Sequence, residues 1–107
     1  MHYEVLKYNL VDFEIEKVIL YYESISYNLG LRFETEVERT LDKLETTPEY
    51  YFILDDKKHR RIPIEGFPYA FIYCIDKNQV IVKILFPQKK IPLNFGINLL
   101  LLSKTFF

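Results

Sequence analysis

Tyr69-Ala70-Phe71-Ile72-Tyr73-Cys74-Ile75, then Asp76-Lys77-Asn78-Gln79, then Val80-Ile81-Val82-Lys83-Ile84-Leu85-Phe86 is the stretch on which the fold turns. The first run is apolar on both sides and rich in strand formers, so it reads as a central strand. The polar tetrad closes a hairpin, and the second run reads as a further strand whose more exposed side is marked by Lys83. Working back, Glu65-Gly66-Phe67-Pro68 is a turn. His59 to Ile64 reads as a strand that Pro63 confines to an edge or a bulge. Asp55-Asp56-Lys57-Lys58 is another turn, and Tyr50 to Leu54 fits a short strand or a packed loop.

Upstream of Pro48 the apolar period changes from two to about four. Phe33, Val37, Thr40, Leu41 and Leu44 share one side of a helix whose other side carries Glu34, Glu36, Glu38, Arg39 and Asp42. Pro48 ends this helix at about Thr46. Ser26 to Gly30 breaks the pattern. Before it, Ile15, Val18, Ile19, Tyr22 and Ile25 mark a first helix, with Asn9 as its N-cap and Asp12 completing a variant capping box. Two helices with so short a break form an antiparallel hairpin. Tyr3 to Tyr8 reads as an opening strand. The order is β-α-α-β-β-β, an α+β fold with a helical hairpin packed on a mostly antiparallel sheet.

One sheet face lies under the helices and the other is open to solvent. Alternation sends Ile62 and Ile64 to the core and His59 and Arg61 outward. On the last strand Lys83 is expected outward with Ile81 and Leu85. On the central strand the choice lies between Tyr69/Phe71/Tyr73 and Ala70/Ile72/Cys74. The tyrosines are assigned to the open face, because their hydroxyls need partners. Cys74, alternating with Ala70 and Ile72, reads as a small buried apolar residue.

Bulk composition sets outer limits. The chain has 107 residues, half of them apolar, which suits one small domain with one core and excludes a multidomain enzyme. The net charge of −1 hides an uneven distribution: residues 1–56 hold 5 basic and 13 acidic side chains, and residues 57–107 hold 9 and 2. An acidic half joined to a basic half points to an anionic partner. The lone cysteine excludes an intrachain disulfide. The Met-His-Tyr-Glu start lacks the pattern of a signal peptide, and the longest purely apolar run, Leu99 to Leu102, is too short to span a membrane, so the cytoplasm is the expected compartment. No P-loop, GxGxxG, HExxH or paired His/Cys pattern occurs, so no cofactor and no metal site is expected.

Several pieces in order resemble the RelE/ParE superfamily, the toxins of type II toxin–antitoxin modules, often described as plasmid stabilisation proteins. They are Val18-Ile19-Leu20-Tyr21-Tyr22-Glu23, Leu31-Arg32-Phe33-Glu34-Thr35-Glu36-Val37, Arg60-Arg61-Ile62-Pro63-Ile64, Phe67-Pro68-Tyr69 with Tyr73, and Val80 to Phe86. The resemblance covers roughly residues 3–92, and it implies the same β-α-α-β-β-β order. It also implies a cognate antitoxin protein as partner. The target is either DNA gyrase, for ParE-like members, or mRNA in the ribosomal A site, for RelE-like endoribonucleases. The long hairpin and the Tyr21-Tyr22-Glu23 motif look more ParE-like. Many members carry a His-x-x-Arg-x-Pro pattern after the last strand; here it reads Pro87-Gln88-Lys89-Lys90-Ile91-Pro92. Lys90 stands for the Arg and Pro92 fits, but a proline at position 87 cannot transfer protons, which counts against the RNase reading. An inactive member serving as a binding scaffold is the third reading.

Metal-independent RNA cleavage needs acid and base groups and a cation for the phosphorane. On that reading the catalytic candidates are Arg61, Lys90, His59 and Tyr73. Target or phosphate contacts would come from Arg60, Arg61, Lys83, Lys89, Lys90 and Tyr69. The plainer readings are that Lys57 to Arg61 is a solvated turn and strand start, and that the tyrosines are half-buried sheet residues. The division expected is a toxin-like domain over 1–92 and an apolar C-terminal extension over 93–107. The extension could dock on the sheet, mediate a homodimer or bind a partner's helix.

Overall fold

The structure, a computed structural model, describes residues 2–88. The elements are β1 (Glu4–Lys7), α1 (Asn9–Ile25), α2 (Tyr27–Thr46), a 3-10 turn (Pro48–Tyr50), β2 (Phe52–Ile53), β3 (Arg60–Pro63), β4 (Tyr69–Asp76) and β5 (Gln79–Pro87). The strands form one sheet in the order β1-β5-β4-β3-β2. β1 runs parallel to β5 and every other pair is antiparallel. A parallel pair needs a long crossover, and the chain supplies it with the helical hairpin and the meander. The α+β architecture expected from the sequence is the one formed. The boundary between residues 92 and 93, the extension 93–107, and Lys89 and Lys90 lie outside the described residues.

Local chemistry explains the helix ends, and two of them differ from expectation. Asn9 is the first helical residue of α1, not its cap. Tyr8 takes the cap position in extended backbone with no side-chain cap bond. Asp12 makes no capping box either. It pairs with Lys7 at 2.7 Å, in a first turn where a carboxylate suits the helix dipole. The break between helices is Ser26 alone, extended in backbone, with its Oγ accepting from the Leu29 amide. Gly30, expected in the break, lies inside α2. A Cβ there would meet the Glu23 side chain and come within 3.2 Å of the Ile19 carbonyl oxygen and the Glu23 amide, so glycine lets the helices pass this closely without a shift.

α2 buries Phe33, Val37, Thr40 and Leu44, the side expected. α1 buries Val11 and Ile15 and half-buries Val18, Ile19 and Tyr22, while Ile25, at the helix end, is exposed. Phe33 packs edge-on against Phe67, and Tyr22 lies 5.1 Å from the same ring, so the core is aromatic where hairpin meets sheet. Pro63 sits on β3 beyond the two residues that pair with β2, where the strand edge is free and a missing N–H costs nothing.

The faces of the sheet overturn two expectations. Phe71 and Tyr73 point under the helices with Ile62, Val80 and Val82, and Ala70 and Ile72 point away. Tyr73 needs no outward partner because it finds one inside: it donates to the Pro48 carbonyl at 2.6 Å and is 0% exposed. Leu85 was expected outward with Lys83, but it too lies in the helix-side core. The cause is a β-bulge. Ile72 pairs with Ile84 and Tyr73 with Val82, so Lys83 has no opposite residue and the alternation of β5 slips by one. Val82 and Leu85 thereby share the core face, and Ile84 and Phe86 go to the other.

Beyond Val82, β5 has lost β1 as a neighbour, and α1 takes over. Glu14 Oε1 accepts the Leu85 amide at 3.2 Å. Burial pushes the Glu14 carboxyl pKa up, against the lowering effects of that hydrogen bond and of Lys17.

Two outcomes test these local arguments by chemical denaturation. Lys77, in the β4–β5 turn, has a φ of 58°, a left-handed conformation that strains a side chain; Lys77→Gly raises stability by about 0.5–1 kcal/mol. Glu14→Ala strands the Leu85 amide and costs about 1–3 kcal/mol, whereas Glu14→Gln keeps an acceptor and costs less. Because the folded pKa of Glu14 lies above the unfolded one, wild-type stability declines as pH rises from 4.5 through the folded value, and Glu14→Gln removes that slope.

Candidate functional site

The basic candidates divide between the two faces of the sheet, because adjacent strand residues point oppositely. Arg60 and Arg61, neighbours in sequence, do different work. Arg60 lies on the helix side, where its Nη1 donates to the Glu49 carbonyl at 3.0 Å and the Tyr51 carbonyl at 2.7 Å. It ties the 3-10 turn to β3, and that turn carries the Pro48 carbonyl that receives Tyr73. The Tyr73 hydroxyl is held well above the ordinary phenol pKa, by burial first and against the lowering effect of Arg60. The phenol therefore keeps its proton at neutral pH, and that proton is donated to the Pro48 carbonyl.

Arg61 lies on the other face, paired across from Phe52 and Ile72. It lines an open groove with Tyr50, Tyr51, Phe52, Ile53, Arg60 and Pro63. Its Nε is buried without a hydrogen-bond partner among the described residues. Tyr50 and Phe52 stand exposed beside it. Tyr69 is separate from this group: half-buried, it packs against Phe33 and borders a small cavity of about 140 Å³ with Glu14, Lys17, Val18 and Leu85.

His59 and Lys83 come together, as their shared side of the sheet allows, but the result is not an exposed histidine. His59 is 4% exposed. Its Nδ1 lies 2.7 Å from Asp55 Oδ2, and its Nε2 lies 3.3 Å from Lys83 Nζ. An ammonium only donates, so Nε2 is the acceptor and the ring proton sits on Nδ1, directed at Asp55. Asp55 Oδ1 also accepts the Lys57 and His59 amides, at 3.1 and 3.0 Å. Burial alone would raise the Asp55 pKa; the hydrogen bonds from the His59 ring and from the two amides outweigh it and hold the carboxyl below its ordinary value. The chain Asp55–His59–Lys83 locks the turn before β3 onto the bulge of β5.

Sequence reasoning missed Asp55, which was read only as a turn residue. Its spacing of four from His59 was the available signal. Also missed was the outer side of α1. Leu10, Phe13 and Leu20 recur at three- and seven-residue spacing on the side away from Val11, Ile15 and Val18, and all three are exposed, Phe13 at 60%. Lys17 lies between them, with its Nζ 5.5 Å from the Phe13 ring centroid. Tyr21 extends the stripe at its far end. Among the described residues no group of three or more His, Cys, Asp or Glu could hold a metal, and no helix is long and apolar enough to cross a membrane.

The Asp55 network yields a titration with a definite sign. A carboxyl whose folded pKa is depressed contributes stability above its ordinary value of 3.8 and loses it as pH falls through the folded value. Asp55→Ala therefore lowers stability at neutral pH by about 1–3 kcal/mol and flattens the acid limb of a stability–pH curve, measured by urea unfolding between pH 2 and 7.

No family model and no curated protein sequence matches the chain. Solved structures do. A chain of the chromosomal ParDE TA (toxin–antitoxin) system from P. aeruginosa superimposes with a TM-score of 0.71 over 80% of this chain and 96% of its own, at 8% identity. The order β-α-α-β-β-β, with the two-residue β2 added at the sheet edge before the last three strands, and the hairpin over the sheet give this chain a ParE-like fold.

Proposed function

We propose that this chain is the toxin half of a type II toxin–antitoxin module, acting in the ParE manner by binding a target such as DNA gyrase, and held inactive in the cytoplasm by a cognate antitoxin. The carrying observation is the exposed apolar stripe Leu10, Phe13, Leu20 on α1. A surface helix normally keeps its outer side polar, and an apolar outer side on a hairpin that already has its core is a docking surface for an amphipathic segment of another protein. The ParE-like fold supports the same reading, and so does the resemblance of the sequence to the superfamily.

Against the RNase alternative stand three placements. His59 is enclosed between Asp55 and Lys83, Tyr73 is spent on the Pro48 carbonyl, and Pro87 occupies the position of the family's histidine. One observation favours it: Arg61, with a buried and unpartnered Nε, lies beside the exposed rings of Tyr50 and Phe52, a combination suited to a phosphate and a stacked base. Residues 57–107 are also strongly basic. The assignment of Lys89, Lys90, Lys83 and Tyr69 to target contacts remains part of this proposal, as does the scaffold reading for a chain without toxicity.

Induction in a bacterial host, with and without the adjacent open reading frame, tests the reading. Growth arrest relieved by co-expression is expected, with inhibition of gyrase supercoiling by the purified chain. Cleavage within codons of ribosome-bound mRNA, and its loss in Arg61→Ala, would move the assignment to the endoribonuclease. Absence of arrest under every condition would leave only the scaffold. Phe13→Asp combined with Leu20→Asp weakens antitoxin binding by about 2 kcal/mol, roughly 30-fold, in titration calorimetry.

A further inference from the structure

Lys83, the extra residue of the β5 bulge, keeps different company from an ordinary lysine. Lys7, for comparison, pairs with Asp12 at 2.7 Å. A carboxylate holds the charge on an ammonium beside it and takes no proton from it at neutral pH. Lys83 Nζ instead lies 3.3 Å from His59 Nε2, a nitrogen that can accept a proton outright. The opposite ring nitrogen faces Asp55 Oδ2 at 2.7 Å, and the Lys57 and His59 amides hold that carboxylate in place. His59 is buried, so solvent does not compete for these bonds, while Lys83 is half-buried.

A nucleophile, a base within hydrogen-bond reach and a third group that orients the base make up the arrangement that activates side-chain nucleophiles. Here an amine stands in the nucleophile's place. Transfer of one proton from Lys83 Nζ to His59 Nε2 leaves a neutral amine and an imidazolium. The imidazolium faces the Asp55 carboxylate, so the cluster keeps its total charge and no proton enters or leaves it. Arg61 shares this side of the sheet, two residues beyond His59 and about 7 Å along the strand. Its Nε, buried without a hydrogen-bond partner among the described residues, suits an oxygen of an anionic leaving group.

We propose that Lys83 is a modification site that takes the acyl group of an acyl phosphate. After the proton passes to His59, the amine nitrogen bonds to the acyl carbon, and the bond from that carbon to the phosphate oxygen breaks. The departing phosphate takes the second amine proton, and His59 gives its own to solvent. The products are a neutral amide on Lys83, inorganic phosphate and the neutral imidazole again. The modification removes one positive charge from the side of the sheet that carries Arg61. The inference rests on the Asp55–His59–Lys83 geometry and is independent of the toxin reading.

Incubation of the full chain with acetyl phosphate, followed over time by peptide mass spectrometry, tests it. At pH 7 Lys83 is expected to be acetylated about tenfold or more faster than the exposed Lys43, Lys57 and Lys77. Its rate stays nearly flat from pH 6.5 to 8, because the internal transfer leaves the number of bound protons unchanged. Exposed lysines gain about tenfold per pH unit over the same range. His59→Gln, which cannot hold the proton, brings Lys83 down to the exposed rate and restores that slope. The wild-type profile requires no variant, so it stands even if His59→Gln does not fold. A Lys83 rate no faster than the exposed lysines at pH 7, or one that climbs with pH as theirs does, would overturn the proposal.

Discussion

The extra residue in β5 governs how this small fold is arranged. Without the bulge at Lys83, strict alternation would carry Val80, Val82, Ile84 and Phe86 to one side of the sheet. Leu85 would face away from the helices. With it, Val80, Val82 and Leu85 line the helix-side core, and Ile84 and Phe86 build a second cluster behind. The same slip aims Lys83 at His59, and it falls where β1 stops pairing, so that Glu14 of α1 receives the next free amide. A bulge costs ladder hydrogen bonds and strengthens twist. Here those consequences are absorbed by side chains from the turn before β3 and from the first helix.

The sheet and the hairpin are apolar on more sides than one core needs. α1 buries Val11 and Ile15 inward and leaves Leu10, Phe13 and Leu20 outward; the sheet buries Phe71 and Tyr73 on one face and Ile72 and Ile84 on the other. A chain of 107 residues has little surface to spare for exposed apolar groups. Two apolar surfaces therefore lie beyond the central core. The helix stripe is exposed, whereas the cluster on the sheet face is buried.

Much of the fold was legible because hydrophobic period reports element type directly. The shift from period four to period two at Pro48 separated hairpin from meander, and Pro48, Gly66 and the polar tetrad at 76–79 marked the turns. The helix-side residues of α2 were legible for the same reason. The faces of β4 and β5 were not. Alternation gives two equivalent assignments for a strand apolar on both sides. The general rule that buried tyrosines need partners pointed outward because the Pro48 carbonyl, 25 residues away, is invisible to local pattern. Arg60 and Arg61 are adjacent in sequence, yet both line the groove while only Arg60 clamps the 3-10 turn, through the Glu49 and Tyr51 carbonyls. Asp55 looked like a turn former and proved to be the anchor of His59.

Local sequence decided which segments are helical and which extended, because propensity, period and the positions of proline and glycine act over a few residues. The uneven charge was legible as well, since it is a count. Tertiary structure alone decided which way each strand faces, which donors find acceptors and which histidine is enclosed. Those depend on register between strands, and a single unpaired residue at Lys83 reverses every side chain beyond it.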